Sequence, residues 1–185
     1  MIKKINISSL FTLFLIIHLL LWTLIPSFTN TNLPLDTIEA LAWGSNLDWG
    51  YFKHPPMSAL IIQIFYHIFG NHDWAYYLLS QIFLLISFIF VWKFAKIFFD
   101  NKKLYCFLSV IVLESIIFYN FTTPEFNVYV CQLPFRVLTV YYCWKALNSK
   151  NLINWILFGF FSSLGFLTHY SFIFLFLFIV IFFIY

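Results

Sequence analysis

Residues 74–99 read WAYYLLSQIFLLISFIFVWKFAKIFF, and this stretch decides the fold. It is apolar until its last turns, where Lys93 and Lys96 enter. As an α-helix rising about 1.5 Å per residue it is roughly 39 Å long, enough to cross a hydrocarbon core of about 30 Å. The whole chain shares this character, with 63% hydrophobic, 24% aromatic and only 9% charged residues. A water-exposed surface draws on about a quarter charged residues. So few charges would leave very large apolar patches on a globule, and a bilayer removes that difficulty. The expected fold class is therefore all-α, a polytopic transmembrane helical bundle. A formal net charge of +3, small and scattered, speaks against nucleic acid as a partner. Cys106, Cys131 and Cys143 sit in apolar stretches with no metal spacing and read as buried thiols.

Upstream of that helix, Lys3 and Lys4 precede an apolar run from Leu10 to Phe28, also long enough to span. No small-x-small cleavage site lies in the following PSFTNTNLPLD (26–36), so the run reads as an uncleaved anchor. Thr29 to Pro56 is the most polar stretch and reads as a loop. Met57 to Phe69 is apolar but too short to cross comfortably, and Gly70, Asn71, His72 and Asp73 interrupt the pattern. Downstream, Leu104–Phe121, Pro124–Leu147 and Leu152–Thr168 read as further spans. Ser171–Tyr185 begins another, and we expect its completion beyond Tyr185.

Charge orients this arrangement. If Met57–Phe69 does not cross, Lys3, Lys4, Lys93, Lys96, Lys102, Lys103, Lys145 and Lys150 share one side, cytoplasmic by the positive-inside rule. Asp36, Glu39, Asp48, Asp73 and Glu125 then face outward. A crossing Met57–Phe69 would place the Lys93–Lys103 cluster outside, so the non-crossing arrangement is preferred. In it, Glu114 and Arg136 fall at matching depth on adjacent antiparallel spans. An isolated charge in a membrane is costly, so the two are expected to form an ion pair.

The outer loop, LPLDTIEALAWGSNLDWGYFKHPP (33–56), is rich in functional groups. Asp36 and Glu39, three apart, share one face of a short helix beginning near Thr37. A carboxylate there can accept a proton from an attacking hydroxyl, although Asp-x-x-Glu before an apolar run is also a capping box. Lys53 and His54, stiffened by Pro55 and Pro56, suit an anionic phosphate or the phosphates of surrounding lipid. Trp43, Trp49 and Tyr51 are either interfacial aromatics or a stacking surface for a sugar. His169 and Tyr170 end the Leu152–Thr168 span on the same side, where a histidine is an anchor or a chemical group. Gln63 and His67, four apart, mark the wetter face of Met57–Phe69. Thr123, Pro124 and Glu125 read as a helix start, with Thr as N-cap, Pro at N1 and an acid in the first turn. His18, His67 and His72 have no ligand-like spacing, and no metal-binding residue is assigned. No cofactor is read from the sequence, and a divalent cation stays open. No Gly-rich nucleotide-phosphate loop is present.

The run LDTIEALAWGSNLDWGYFKHPPMSALI (35–61) resembles the first external loop of polyprenyl-phosphate-sugar glycosyltransferases of GT-C type. These are relatives of the dolichyl-phosphate-mannose protein mannosyltransferases and of the aminoarabinose lipid A transferase. TTPEFNV (122–128) and GFFSSLGFLTHYSF (159–172) resemble later elements in the same order. The resemblance implies that Asp36, with Glu39 beside it, serves as the catalytic base or acceptor-orienting carboxylate. It implies that Lys53 and His54 bind the donor phosphate, with Tyr51, Glu125 and His169 as substrate-binding residues. Two departures stand out: His169 replaces a common lysine, and Glu125 a common aspartate.

Residues 1–185 are thus expected to be the N-terminal part of a GT-C-like transmembrane domain, with loop 29–56 carrying the site. The expected partners are a polyprenyl-phosphate-linked sugar donor, a lipid, glycan or protein acceptor, and membrane lipids. The expected place is a bacterial inner membrane, with the N-terminus cytoplasmic and the active side periplasmic. The family continues for further spans and an outer soluble domain, and their absence here argues against activity of residues 1–185 alone. The alternative is a non-catalytic membrane scaffold or a lipid-carrier flippase component.

Overall fold

In the computed structural model, which describes residues 6–184, the elements follow the apolar runs. Helix α1 is Ile7–Thr29, α2 Leu35–Gly44, α3 Met57–Phe69 and α4 Asp73–Phe98. Helix α5 is Lys103–Glu114, α6 Val128–Leu147, α7 Leu152–Phe166 and α8 Phe172–Ile184, and a short 3-10 turn covers Ile117–Tyr119. No strand occurs among the described residues. Lys3, Lys4 and Tyr185, used above to orient the chain and mark its last run, lie outside them.

Local chemistry sets the boundaries. Asn6, Asn127 and Asn151 cap α1, α6 and α7, each with its side-chain oxygen accepting from backbone N–H groups of the first turn. Helix α3 ends at Gly70, whose φ of 62° is the left-handed conformation glycine adopts without strain. Helix α4 ends into Asp100 and Asn101, both at positive φ, and these are the residue types that tolerate it.

Helix α4 is the axis of the bundle, packed between α1, α5 and α6, while α6 also packs on α7. Toward the lysine-rich end, Phe11 of α1 stacks on Trp92 of α4 with ring centres 4.3 Å apart, in a cluster with Phe88, Cys106 and Val110. Toward the other end, Tyr76 and Leu79 of α4 pack with Ile62 of α3, Phe126, Val130 of α6 and Phe172 of α8. Helix α2 crosses α3 closely, and a Cβ on Gly44 would stand 2.9 Å from the Ala59 carbonyl oxygen. Outward-facing Leu13, Ile16, Ile17, Leu20, Leu21, Leu24 and Ile25 leave one face of α1 apolar and exposed, which lipid covers at no cost. Helices α1 and α4 are long and apolar enough to cross a membrane, whereas α3, α7 and α8 are shorter apolar helices. Cys106, Cys131 and Cys143 are free and buried, as their apolar surroundings imply.

Three expectations are corrected. The stretch 104–121 is not one helix: α5 stops at Glu114, where the Asn120 side chain donates to the Glu114 carbonyl oxygen and turns the chain. Helix α6 does not start with Thr123, Pro124 and Glu125, because the cap is Asn127, which accepts from Tyr129 N and Val130 N at 3.1 and 3.0 Å. Glu114 and Arg136 do not pair. Because α5 is short and packs on α1 and α4, the Glu114 carboxylate meets His18 Nδ1 at 3.0 Å. The other ring nitrogen of His18 lies 3.0 Å from Gln81 Oε1, so His18 joins α1 to both α4 and α5 inside the bundle, while Glu114 Oε2 has no hydrogen-bond partner.

Removing one member of such a buried pair strands the other, at a cost of about 3–5 kcal/mol. His18→Leu and Glu114→Leu should each lower stability by about that much, and the double variant by clearly less than the sum. Unfolding of the detergent-solubilised protein measures this cycle, and strictly additive losses would contradict the pairing.

Candidate active site at the end of the bundle

The first residues of α2 follow Pro34, which offers no side-chain cap. The vacant position is filled from far along the chain: Asp36 N–H donates to Glu125 Oε1 at 3.1 Å. One residue on, the buried Thr37 hydroxyl donates to the Phe126 carbonyl oxygen at 3.2 Å. These bonds tie α2 to the segment leading into α6. The capping-box reading of Asp36 and Glu39 is thereby overturned, because Asp36 lies inside the first turn and the capping carboxylate is that of Glu125.

The two loop acids are left in different states. Glu39 accepts from Lys53 Nζ at 2.6 Å. This hydrogen bond, with the charges of Glu39 and Asp36, holds the Lys53 ammonium above its ordinary pKa. The Asp36 carboxylate is exposed and makes no hydrogen bond among the described residues. Asp36, Glu39, Trp43, His54, Ser58 and Asn127 line a narrow cleft of about 10 Å³, room for about one water molecule.

His54 closes this cleft toward α7. Its ring stands 5.8 Å edge-on from Trp43 and 5.2 Å from the ring of His169. Burial pushes its pKa below the ordinary value, with Glu39 and Asp36 acting against that shift. Its buried Nδ1 has no hydrogen-bond partner. His169, in the α7–α8 turn, is also lowered, first by burial and then by the charges of His54 and Arg136. Its Nδ1 accepts from Ser171 N–H at 3.0 Å, so in the neutral ring the proton sits on Nε2.

Tyr51 stands behind Trp43. The rings stack at 5.1 Å and 6°, and the Tyr51 hydroxyl donates to the Trp43 carbonyl oxygen at 2.9 Å, which fixes the loop and occupies one face of each ring. Trp49 and Phe52, by contrast, are almost wholly exposed. Glu125 also borders a second, wider cleft of about 490 Å³ with Trp22, Asn30, Phe121 and Thr122. Among the described residues, no group of three or more His, Cys, Asp or Glu side chains is placed to hold a metal ion.

Seven residues singled out in the sequence therefore form linked groups: Asp36 with Glu125, Glu39 with Lys53, His54 with His169, and Tyr51 behind the cleft wall. Gln132, Arg136 and Ser171, which connect to His169 from below, were missed as site residues. The signal for the first two was their spacing of four on one face of α6.

Apolar helices with acids, histidines and aromatics gathered at one end define an integral membrane protein whose polar chemistry is concentrated there. The chain belongs to the family described as dolichyl-phosphate-mannose-protein mannosyltransferase, whose sequence model matches residues 53–185. This is a GT-C glycosyltransferase family that in general uses a polyprenyl-phosphate-linked sugar donor and an acceptor. Lys53, His54, Glu125 and His169 lie within the matched region, while Asp36, Glu39 and Tyr51 precede it. No curated protein and no solved structure matches the chain.

The lowered histidines set a pH dependence. A group whose folded pKa lies below its unfolded value of about 6.5 contributes stability above that value and loses it as pH falls through the folded one. The unfolding midpoint should therefore decline as pH drops below about 6.5, and His54→Gln with His169→Gln should flatten that decline. Equal slopes for the two proteins would contradict the burial of these rings.

Proposed function

We propose that this protein transfers a sugar from a polyprenyl-phosphate carrier to a lipid, glycan or protein acceptor at the outer face of a bacterial inner membrane. The observation that carries the reading is the inequality of the acids: Glu39 is held by Lys53, whereas Asp36 is free at the mouth of a cleft walled by His54. Asp36 takes the proton of the acceptor hydroxyl as its oxygen bonds to the sugar carbon and the carbon–oxygen bond to phosphate breaks. The electron pair of that bond leaves with the polyprenyl phosphate, and the proton stays on Asp36. Lys53, His54 and His169 lie where the growing phosphate charge would be met, the contribution such sites make to catalysis. Tyr51 keeps the loop in place, and Glu125 keeps α2, and so Asp36, in place.

Admission of a sugar needs a wider opening than the cleft now offers, since it holds about one water. The orientation rests on charge: Lys93, Lys96, Lys102, Lys103, Lys145 and Lys150 flank helix ends opposite to Asp36, Glu39, Asp73 and Glu125. Lysine marks the cytoplasmic side, which leaves the acids outside.

General-base catalysis typically contributes about 10²–10⁴-fold. With the full protein in liposomes and a labelled lipid-linked sugar, Asp36→Asn should lower kcat by that range, while Glu39→Gln should cost under about ten-fold. Unchanged turnover in Asp36→Asn would remove the assignment. His54→Ala should raise the donor KM more than it lowers kcat, and an unchanged KM would count against its phosphate role.

A further inference from the structure

Arg136 is the only arginine in the chain, and it sits half-buried on α6, eight residues or about 12 Å along from the helix start at Val128. All seven acidic side chains lie among the described residues, and none forms an ion pair with it. Its hydrogen-bond partners are neutral: Nε donates to Gln132 Oε1 at 2.7 Å and Nη2 to Ser171 Oγ at 3.1 Å. A guanidinium has five N–H donors and does not lose its proton, so these two bonds leave its charge unmet. An arginine at membrane depth is costly without an anion and marks a functional site by default.

The surroundings hold that charge in one place and connect it to the site. Gln132, whose oxygen receives Arg136, donates through its nitrogen to the His169 carbonyl oxygen at 3.0 Å. Ser171 Oγ, which receives Arg136 Nη2, lies 2.8 Å from His169 Nδ1. A side-chain clasp between α6 and the α7–α8 turn needs only the neutral glutamine and serine, so a cation there calls for a further explanation. With Nδ1 engaged by Ser171, His169 presents an N–H at Nε2, and its ring lies 5.2 Å from that of His54.

We propose that Arg136 is the permanent cation of an oxyanion site between α6 and the α7–α8 turn, and that it holds the phosphate of the lipid-linked donor. This rests on the transferase reading given above. A planar guanidinium grips two phosphate oxygens at once, and its depth in α6 places the phosphate at the junction between the isoprenoid tail in lipid and the sugar beside Asp36. Where His169 and His54 are neutral, Arg136 adds its charge to that of Lys53 in retaining the leaving polyprenyl phosphate.

The test is binding of sugar-free polyprenyl phosphate to the full protein in nanodiscs, with unphosphorylated polyprenol and phosphatidylglycerol as comparison probes. Arg136→Gln should weaken polyprenyl phosphate at least about ten-fold, the effect of losing one charge-assisted fork, and leave polyprenol binding unchanged. Wild-type affinity in a folded Arg136→Gln protein would overturn the proposal. So would equal competition by phosphatidylglycerol, which would make the site a general headgroup clamp. If Arg136→Gln does not fold, Arg136→Lys carries the test: it keeps the charge without the fork and should bind polyprenyl phosphate measurably more weakly, unchanged affinity being the contrary result. Asp36→Asn separates the two ideas, since it should bind polyprenyl phosphate normally. Lost binding in Arg136→Gln with full turnover in Asp36→Asn would keep the anion site and discard the base.

Discussion

The unfilled N–H groups at the start of α2 are the constraint on which the site depends. Helix starts leave such donors without intrahelical partners, and Pro34 has no side-chain acceptor to offer. Glu125 supplies it from 89 residues away, on the segment before α6. An anion at a helix N-terminus also meets the positive end of the helix dipole. Three consecutive residues then work in both directions: Glu125 and Phe126 accept from α2, and Asn127 caps α6. Because Glu125 does the capping, Asp36 keeps its carboxylate unengaged.

The rest of the molecule can be read as what this arrangement needs around it. Bilayer favours apolar side chains outside, so polar groups collect at the ends or bond with one another inside. His18, Gln81 and Glu114 take the second course. Lys53 and Glu39 take the first. Arg136 stands between, tied to neutral oxygens within the bundle yet joined through Ser171 to the histidine pair at its end.

Most of the fold was legible, because apolar runs of helix length between polar interruptions are a strong signal. Helices α1, α3 and α4 begin and end within a few residues of their sequence limits. The failures came where the hydrophobic pattern continues but a polar side chain intervenes. Ile116 to Phe121 is apolar enough to extend α5, yet Asn120 takes the Glu114 carbonyl and breaks it. The Glu114–Arg136 pairing failed because α5 and α6, consecutive in the chain, are not packed together: α5 lies on α1 and α4, and Glu114 meets His18 instead. In the site, the grouping of Asp36, Glu39, Lys53 and His54 was legible because they share one loop. The partnership of Glu125 with α2 was not, because a cap supplied across 89 residues leaves no local spacing to read.

The most direct measurement is residue-resolved hydrogen exchange of the Asp36 amide in the wild type, Glu125→Gln and Glu125→Leu. A glutamine still presents an oxygen to the helix start, and a leucine does not. If Glu125 holds α2 and thereby places Asp36, this amide should be protected in the wild type and in Glu125→Gln, and should exchange freely in Glu125→Leu. Equal exchange in all three proteins would contradict the account.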